Sequence, residues 1–273
     1  AKSGVAAILA KDSDEAIAKA KQLLSVLPAN NLETAGNDYY MENDAAVSAD
    51  LKGIELINSV ADKESVIELY KQFGTSAVTA IGSLNWRTAG FVATNNGAKL
   101  TADDSAKIAR FVTLCDAYSI PVVTFVDSEG FEKSSAAELA GSIRDSAKLA
   151  QAYASATTAK IAVVTGKAYG SAYVALASTA AGSDFTFAWE GAVIAPTTPE
   201  AAVVFLNGVS EDNAKQAQEY ADNEADAFTA AANGYVDRVI TAEDTKSALT
   251  SAIEATSSKR VVTPAKKHVN FVY

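Results

Sequence analysis

The chain has 273 residues, 49% of them hydrophobic and 21% charged, a balance typical of a globular protein with a sizeable core and not of a disordered chain. Its formal net charge of −10 provides no field that would attract nucleic acid or anionic lipid. No apolar run approaches the ~18 residues that a membrane-spanning helix needs, and the single cysteine excludes a disulfide or a cysteine zinc site within the chain, so we expect a cytoplasmic protein.

The first 59 residues are expected to hold one helix and a linker. Apolar residues recur at helical spacing over 12–27. Turn-forming and charged residues follow over 29–59 without a sustained apolar period. We interpret 1–59 as an amphipathic helix and linker left from the junction with a missing amino-terminal half, and we place the main domain at 60–273.

Strand patterns alternate with helical patterns through the rest of the chain. Segments 77–84 and 88–94 have a hairpin-length connection between them and are expected to pair as antiparallel strands. The alternation that follows predicts βα units and a mainly parallel sheet. The later strands are predicted at 121–127, 160–165, 185–189 and 236–240, and the helices at 102–118, 135–156, 171–181, 199–206, 212–232 and 242–256.

Two glycine-containing loops, 127–131 and 166–170, follow buried strands of this predicted sheet. Carboxyl ends of neighbouring parallel strands meet at one edge, where open α/β sheets bind ligands. The second loop also leads into a helix N-terminus, whose N–H groups and dipole can stabilise a developing oxyanion. Tight strand-to-helix packing that merely needs small residues explains the same pattern and remains an alternative.

Isolated residues that could carry chemistry have plainer interpretations. Cys115 lies in an apolar run and is expected as a small buried hydrophobe. Trp86 and Trp189 are expected to anchor the core or the hairpin. His268 is expected at the surface of a basic tail. No metal-ligand spacing appears, so no metal site is predicted.

Several segments match the sequence patterns of a known family. Residues 107–127 are KIARFVTLCDAYSIPVVTFVD, similar to the pattern K-x-A-R-F-x-x-x-C-D-A-F-x-I-P-L-V-x-F-V-D. Residues 142–149 (SIRDSAKL) resemble I-I-R-H-G-A-K-L, and 167–173 (KAYGSAY) resemble K-A-Y-G-G-A-Y. Shorter similarities occur at 23–31, 187–189, 235–240 and 266–270. Over nearly its whole length the chain therefore resembles the carboxyltransferase subunits of biotin-dependent acyl-CoA carboxylases and decarboxylases.

This resemblance implies an α/β fold of the crotonase type, a spiral of ββα units, and identifies the chain with the carboxyl-terminal crotonase domain of such subunits. The implied reaction is carboxyl transfer between carboxybiotin and an acyl-CoA, with a coenzyme A thioester as substrate. Biotin would arrive on a biotin carboxyl carrier protein. An acyl-CoA-binding crotonase domain would complete the site across a dimer interface, so the chain is expected to form a homo-oligomer and to be inactive without its other half.

The resemblance also implies roles for five residues. The backbone amides of Ser171 and Ala172 would stabilise the ureido oxygen of biotin. Gly130, the main chain of Phe131 and Gly170 would help to seat the biotin ring. Main-chain groups rather than ionisable side chains would thus carry the chemistry.

Several positions depart from the family patterns. Residues 129–134 are EGFEKS in place of P-G-F-L-P-G, and Ser171 replaces the second glycine of G-G-A. These changes remove glycines and put charges beside the predicted pocket. The alternative function is therefore a catalytically silent crotonase module with a structural role in a carboxylase or decarboxylase assembly. A stand-alone crotonase that hydrates an acyl-CoA is a third possibility, less favoured because the motifs belong to the carboxyltransferase branch.

Overall fold

The computed structural model describes residues 1–30, 33–36, 41–94, 99–176 and 178–262. The segment 266–270 and the prediction for His268 lie outside these residues. Among the described helices, none is long and apolar enough to cross a membrane.

An eight-stranded mixed sheet forms the centre of the fold. Six strands follow the order β1-β2-β3-β4-β5-β6 and end with β8, while β7 pairs with the carboxyl-terminal part of β5. The first two pairings are antiparallel and all the others are parallel. The strands are β1 Ile67–Leu69, β2 Ala77–Leu84, β3 Arg87–Thr94, β4 Val122–Ser128, β5 Lys160–Tyr169, β6 Phe185–Trp189, β7 Val193–Ala195 and β8 Arg238–Ile240.

Helices cover both faces of the sheet. They are α1 Ser13–Val26, α2 Gly53–Val60, α3 Ala102–Ala117, α4 Ser135–Leu139, α5 Ser142–Ser155, α6 Gly170–Ala175, α7 Pro199–Asn207, α8 Asn213–Asn223, α9 Ala227–Ala232 and α10 Thr245–Ala255, with a short 3-10 turn at Thr179–Ala181. The α/β crotonase-type fold expected from the resemblance is confirmed.

The strands divide their apolar side chains between two buried clusters because successive side chains point to opposite faces. In β5, Ala162 and Val164 join the cluster formed with α1, α3, α5, α6 and α9. Ile161 and Val163 join the cluster formed with α2 and α10. Cys115 is fully buried in the first cluster, where burial raises the pKa of its thiol, and its predicted role as a small core residue is confirmed.

The predicted hairpin is present, with a shorter turn than expected. Strands β2 and β3 pair in register from Ala77↔Thr94 to Leu84↔Arg87. The two residues between them, Asn85 and Trp86, have φ values of +49° and +63°. Two consecutive residues with positive φ form the type of turn whose twist matches that of the strands that it joins.

Segment 29–59 is not entirely a linker. Helix α2 lies within it, and Leu56, Ile57 and Val60 are buried against the sheet. The segment 53–60 is too short for its apolar spacing to be recognised by periodicity alone. The domain boundary at residue 60 stays a prediction, although α2 packs as part of the same core.

Two predicted long helices are each broken into two. The segment 135–156 ends one helix at Leu139 and begins the next after Gly141, whose φ of +93° no helix interior allows. The segment 212–232 is interrupted before α9, where the carboxylate of Asp226 accepts hydrogen bonds from the N–H groups of Phe228 and Thr229. The predicted helix 171–181 likewise ends at Ala175 and continues only as a 3-10 turn.

Candidate functional site

The structure brings the two glycine-containing loops together at the carboxyl ends of adjacent strands. Strand β4 pairs in parallel with β5, so the loop that contains Gly130 lies beside the turn from β5 into α6. A Cβ added at Gly130 would lie 3.9 Å from the carbonyl oxygen of Tyr169, which directly precedes Gly170. The two loops therefore meet at one edge of the sheet, as the sequence predicts.

The loop after β4 is held by a short bridge to Leu100. The N–H of Leu100 donates to the carbonyl oxygen of Gly130 at 2.9 Å, and the N–H of Glu132 donates to the carbonyl oxygen of Leu100 at 2.9 Å. In this pattern the N–H and C=O of the intervening Phe131 are directed away from Leu100. The side chain of Phe131 packs against the core, so its main chain is the part that remains for a ligand.

Gly170 makes the change from strand to helix without an intervening loop. Strand β5 ends at Tyr169 and α6 begins at Gly170, whose φ is +61°. A Cβ at Gly170 would also lie 3.1 Å from the carbonyl oxygen of Pro196. Positive φ and this close backbone approach together require glycine at position 170.

Ser171 and Ala172 lie in the first turn of α6, where N–H groups have no acceptor within the helix. Tyr169, the N-cap residue, caps none of them with its side chain in the described part of the chain. Ser171 is exposed, whereas the side chain of Ala172 is fully buried in the core. The first turn of α6 therefore supplies backbone donors beside the loop that contains Gly130.

An ion pair joins the two loops at the surface. Nζ of Lys167 lies 2.7 Å from Oε1 of Glu129, and both side chains are substantially exposed. This hydrogen bond from Lys167 to Glu129, with the nearby negative charge, raises the pKa of Lys167 above its ordinary value. Because Glu129 stands where the family pattern has proline, the pair is a departure from that pattern at the meeting point of the two loops.

Two residues to which the sequence analysis gave no role, Asp127 and Lys52, organise the end of β5. The buried carboxylate of Asp127 lies against Gly166, accepts the N–H of Lys167 at 2.9 Å through Oδ1, and pairs with Nζ of Lys52 at 3.1 Å through Oδ2. The sequence feature that points to Asp127 is its position at the end of a buried strand. Lys52 is 75 residues away in sequence, so no local pattern indicates its contact.

Tyr173 is buried on the inner side of α6. Its hydroxyl has no hydrogen-bond partner among the residues that the structure describes. Burial, with a smaller contribution from Asp237, raises the pKa of Tyr173 to about 12. The phenol thus stays neutral at physiological pH and cannot act there as a base.

Features that would suggest a different kind of site lie elsewhere or are not seen. Within the described ranges, no group of three or more His, Cys, Asp or Glu side chains could hold a metal ion. Three cavities of about 330, 450 and 380 Å³ open near the amino terminus, at the amino-terminal ends of β3 to β5, and beside β6 and β8. None of the five predicted site residues lines any of the three.

Comparison with known sequences places these features in a family context. The family model described as the carboxyl transferase domain matches residues 1–271. The methylmalonyl-CoA carboxyltransferase 12S subunit of Propionibacterium freudenreichii subsp. shermanii is 36% identical over 292 residues, covering 98% of this chain and 56% of that protein. The methylmalonyl-CoA decarboxylase subunit alpha of Veillonella parvula is 34% identical over 287 residues, with the same two coverages of 98% and 56%.

Comparison with solved structures agrees with the comparison of sequences. A transcarboxylase 12S structure, a hexamer with methylmalonyl-coenzyme A and methylmalonic acid bound, superposes with a TM-score of 0.91 at 36% sequence identity. The match covers 99% of this chain and 56% of that one. The chain thus spans little more than half the length of the relatives that it matches.

Proposed function

The chain belongs to the carboxyl transferase domain family, and from that premise we propose that it forms the biotin-facing half of the active site of an acyl-CoA carboxylase or decarboxylase. The proposed reaction is carboxyl transfer between carboxybiotin and an acyl-CoA. The observation that carries the proposal is the convergence of Gly130 and Gly170 at adjacent strand ends, next to the N-terminal turn of α6.

The arrangement fits an oxygen that gains negative charge. When bound, carboxybiotin supplies an activated carboxyl group whose departure places charge on the ureido oxygen. The N–H groups of Ser171 and Ala172 would donate to that oxygen, and fixed backbone donors need no reorganisation as charge develops. Gly130 has no side chain to hinder close approach, and Gly170 would let the chain turn directly into α6 beside the ring. The main chain of Phe131, which is directed away from Leu100, would help to seat the ring.

The proposed substrate and partners rest on the family to which the chain belongs. We propose a coenzyme A thioester as substrate, bound mainly by a second, acyl-CoA-binding crotonase domain. Biotin would be attached to a biotin carboxyl carrier protein. The chain would be inactive alone and would join that second domain in a cytoplasmic homo-oligomer built from dimers.

A structural role is the second candidate, and the ion pair between Lys167 and Glu129 favours it. The pair connects the two glycine-containing loops, at 2.7 Å between Nζ and Oε1. Together with serine at position 171, it would make this chain a silent crotonase module that stabilises a carboxylase or decarboxylase assembly.

A reconstitution assay separates the two candidates. The chain would be combined with an acyl-CoA-binding domain and a biotinylated carrier protein, and transfer of the radiolabelled carboxyl group from methylmalonyl-CoA to the biotin of the carrier protein would be followed. We expect transfer only in the complete mixture, with controls that omit each component. A complete mixture that assembles, as measured by light scattering, but transfers no label above the controls would contradict the catalytic function and support the structural one.

A further inference from the structure

We propose that Asp127 is a positioning residue for the proposed carboxyl-transfer site. Its buried carboxylate fixes the bulged end of β5 and thereby the backbone that presents the N–H groups of Ser171 and Ala172. The inference rests on the proposed function for its consequence in catalysis, but its structural part can be measured without any activity.

Strand β5 contains a bulge directly before the site. The pairs Val126↔Val164 and Ser128↔Ala168 are consecutive in the ladder, so β4 advances two residues while β5 advances four. The side-chain alternation survives because two extra residues restore the same face: Ala168 joins the same buried cluster as Val164. A bulge of this kind re-aims the chain beyond it and must be held by other contacts.

The carboxylate of Asp127 occupies the space that the bulge opens. A Cβ at Gly166 would lie 2.6 Å from Oδ1 and 2.7 Å from Cγ of Asp127, so glycine is the residue that lets the carboxylate enter. The same Oδ1 accepts the N–H of Lys167 at 2.9 Å. This backbone donor lies where the ladder to β4 is interrupted, and the carboxylate takes the place of the missing ladder acceptor.

Asp127 is itself held from two sides. Its N–H donates to Oγ1 of Thr94 at 2.7 Å, at the end of β3. Its Oδ2 pairs with Nζ of Lys52, the N-cap residue of α2, at 3.1 Å. Its side chain is only 6% exposed, so the lysine charge offsets much of the cost of burying the carboxylate. The anchor therefore ties β3, β5 and α2 together at the carboxyl edge of the sheet.

The anchored segment leads directly into the site. Residues Lys167 to Tyr169 pair with β7 through Lys167↔Val193 and Tyr169↔Ala195, and Gly170 follows as the first residue of α6. No loop separates the bulge from the helix, so a shift at Lys167 passes into the first turn of α6. A displacement of about 1 Å in a positioning element can lower a rate by roughly 10².

The test uses four single variants of the full chain and the double variant Asp127→Ala/Gly166→Ala. Asp127→Ala removes the acceptor, Asp127→Asn keeps the size but removes the charge, and Gly166→Ala places a methyl group against the carboxylate. Gly191→Ala is the matched control, because a Cβ at Gly191 meets nothing within 4 Å. Each variant is assayed in the complete reconstituted mixture, and the backbone amide resonances of Ser171 and Ala172 are recorded by NMR on the labelled chain.

We expect Asp127→Ala and Gly166→Ala to shift both amide resonances and to lower kcat by about 10², with an unchanged KM for the acyl-CoA, which binds mainly to the other domain. Asp127→Asn should lower kcat by about tenfold, and Gly191→Ala should change neither quantity. Gly166→Ala should cost little more when made in Asp127→Ala, because the carboxylate that it meets is gone.

The outcomes separate this inference from the proposed function. Unchanged amide resonances in folded Asp127→Ala or Asp127→Asn protein overturn the positioning role. Shifted amide resonances in the variants would support the structural anchor. If the mixture that contains the wild-type chain also shows no carboxyl transfer, the proposed function is contradicted while the anchor stands. A lower melting temperature of the Asp127 variants, with unchanged amide resonances and unchanged kcat, would show a role in stability alone and would also overturn the inference.

Discussion

Nζ of Lys167 and Oε1 of Glu129 lie 2.7 Å apart and connect the two glycine-containing loops. The lysine lies within the bulge of β5, and the glutamate follows β4. Both side chains are substantially exposed, so solvent and salt screen the pair. The contact is therefore better suited to restricting the side chains at the rim than to stabilising the fold.

Replacing Glu129 with Gln should change the chemistry of Lys167 more than the stability of the chain. The hydrogen bond to Glu129 is the main cause of the raised pKa of Lys167, so removing the charge should lower that pKa. A larger share of the lysine is then neutral at a given pH, and acetylation at pH 9 should be faster at Lys167, as measured by mass spectrometry. The exposed Lys215, which pairs with Glu219, is an internal control whose rate should not change.

The same variant should leave the free energy of unfolding within about 0.5 kcal/mol of the wild-type value, as is typical of exposed ion pairs. Urea denaturation measures it. A larger loss would show that the pair holds the loops in place, and an unchanged acetylation rate would show that another group determines the pKa of Lys167.

Replacing Ser171 with Pro tests the proposed backbone donors. Ser171 is exposed in the first turn of α6, where proline removes the N–H without breaking a helical hydrogen bond, and Gly170 before it has no Cβ to clash with the ring. Loss of one donor to a developing oxyanion should lower kcat by about 10² in the complete mixture.

Ser171→Ala is the matched control, because it removes the hydroxyl and keeps the N–H. It should retain nearly full activity. If Ser171→Ala loses as much activity as Ser171→Pro, the hydroxyl rather than the backbone is the functional group. If neither substitution affects the rate in folded protein, the site lies elsewhere.

The sequence allowed the main elements and the meeting of the two loops to be predicted. Strand β4 is a continuous buried run, and Gly130 and Gly170 follow adjacent parallel strands, so their proximity follows from sheet geometry. The bulge of β5 could not be predicted, because it depends on Asp127 filling the space beside Gly166. A pairing of this kind is set by tertiary packing and leaves no periodic signal in either segment.

The lengths of several helices were also predicted wrongly from the sequence. The segment 135–156 has helical spacing throughout, yet Gly141 with φ +93° ends the continuity. Interior glycine weakens a helix, and Gly141 is the feature of the sequence that indicates the break. The contact between Lys52 and Asp127 was beyond any local pattern, because 75 residues separate the partners.

Replacing Gly90 with Ala should destabilise the fold at the contact between β3 and α3. A Cβ at Gly90 would lie 2.5 Å from Sγ of Cys115 and 3.2 Å from the ring of Phe111, and all three residues are buried. Overpacking of this kind typically costs about 1–3 kcal/mol. Urea denaturation of Gly90→Ala measures the loss, with Gly191→Ala as the control substitution in open space.

The double variant Gly90→Ala/Cys115→Ala makes the test specific. Removing the sulfur relieves the closest contact, so the two changes together should cost less than their sum. Strictly additive effects would show that the sulfur is not what the new methyl group meets.

Lys107 should make the stability of the chain depend on pH in the alkaline range. Its side chain is almost completely buried, and Nζ donates to the carbonyl oxygens of Gly74 at 3.2 Å and Ala77 at 2.7 Å. Burial lowers the pKa of Lys107 from 10.5 to about 8, although the negative charges of Asp104 and Glu68 oppose the change. The folded chain therefore releases this proton at a lower pH than the unfolded chain does.

The sign of the effect follows from proton linkage. Between about pH 8 and pH 10.5 the unfolded state binds more protons at this site, so the contribution of Lys107 to stability rises with pH and is lost as pH falls through 8. The difference between a pKa of 10.5 in the unfolded chain and about 8 in the folded chain corresponds to about 3 kcal/mol of stability over the whole window. We expect the free energy of unfolding of the wild type, relative to Lys107→Met, to increase by up to that amount across this window.

Urea denaturation of both proteins at intervals from pH 7.5 to 10.5 measures the difference, and taking the difference cancels the titration of groups that the two proteins share. A flat difference would show that Lys107 keeps an ordinary pKa. A difference that falls with pH would mean that the carbonyl oxygens of Gly74 and Ala77 stabilise the charged amine by more than burial costs it.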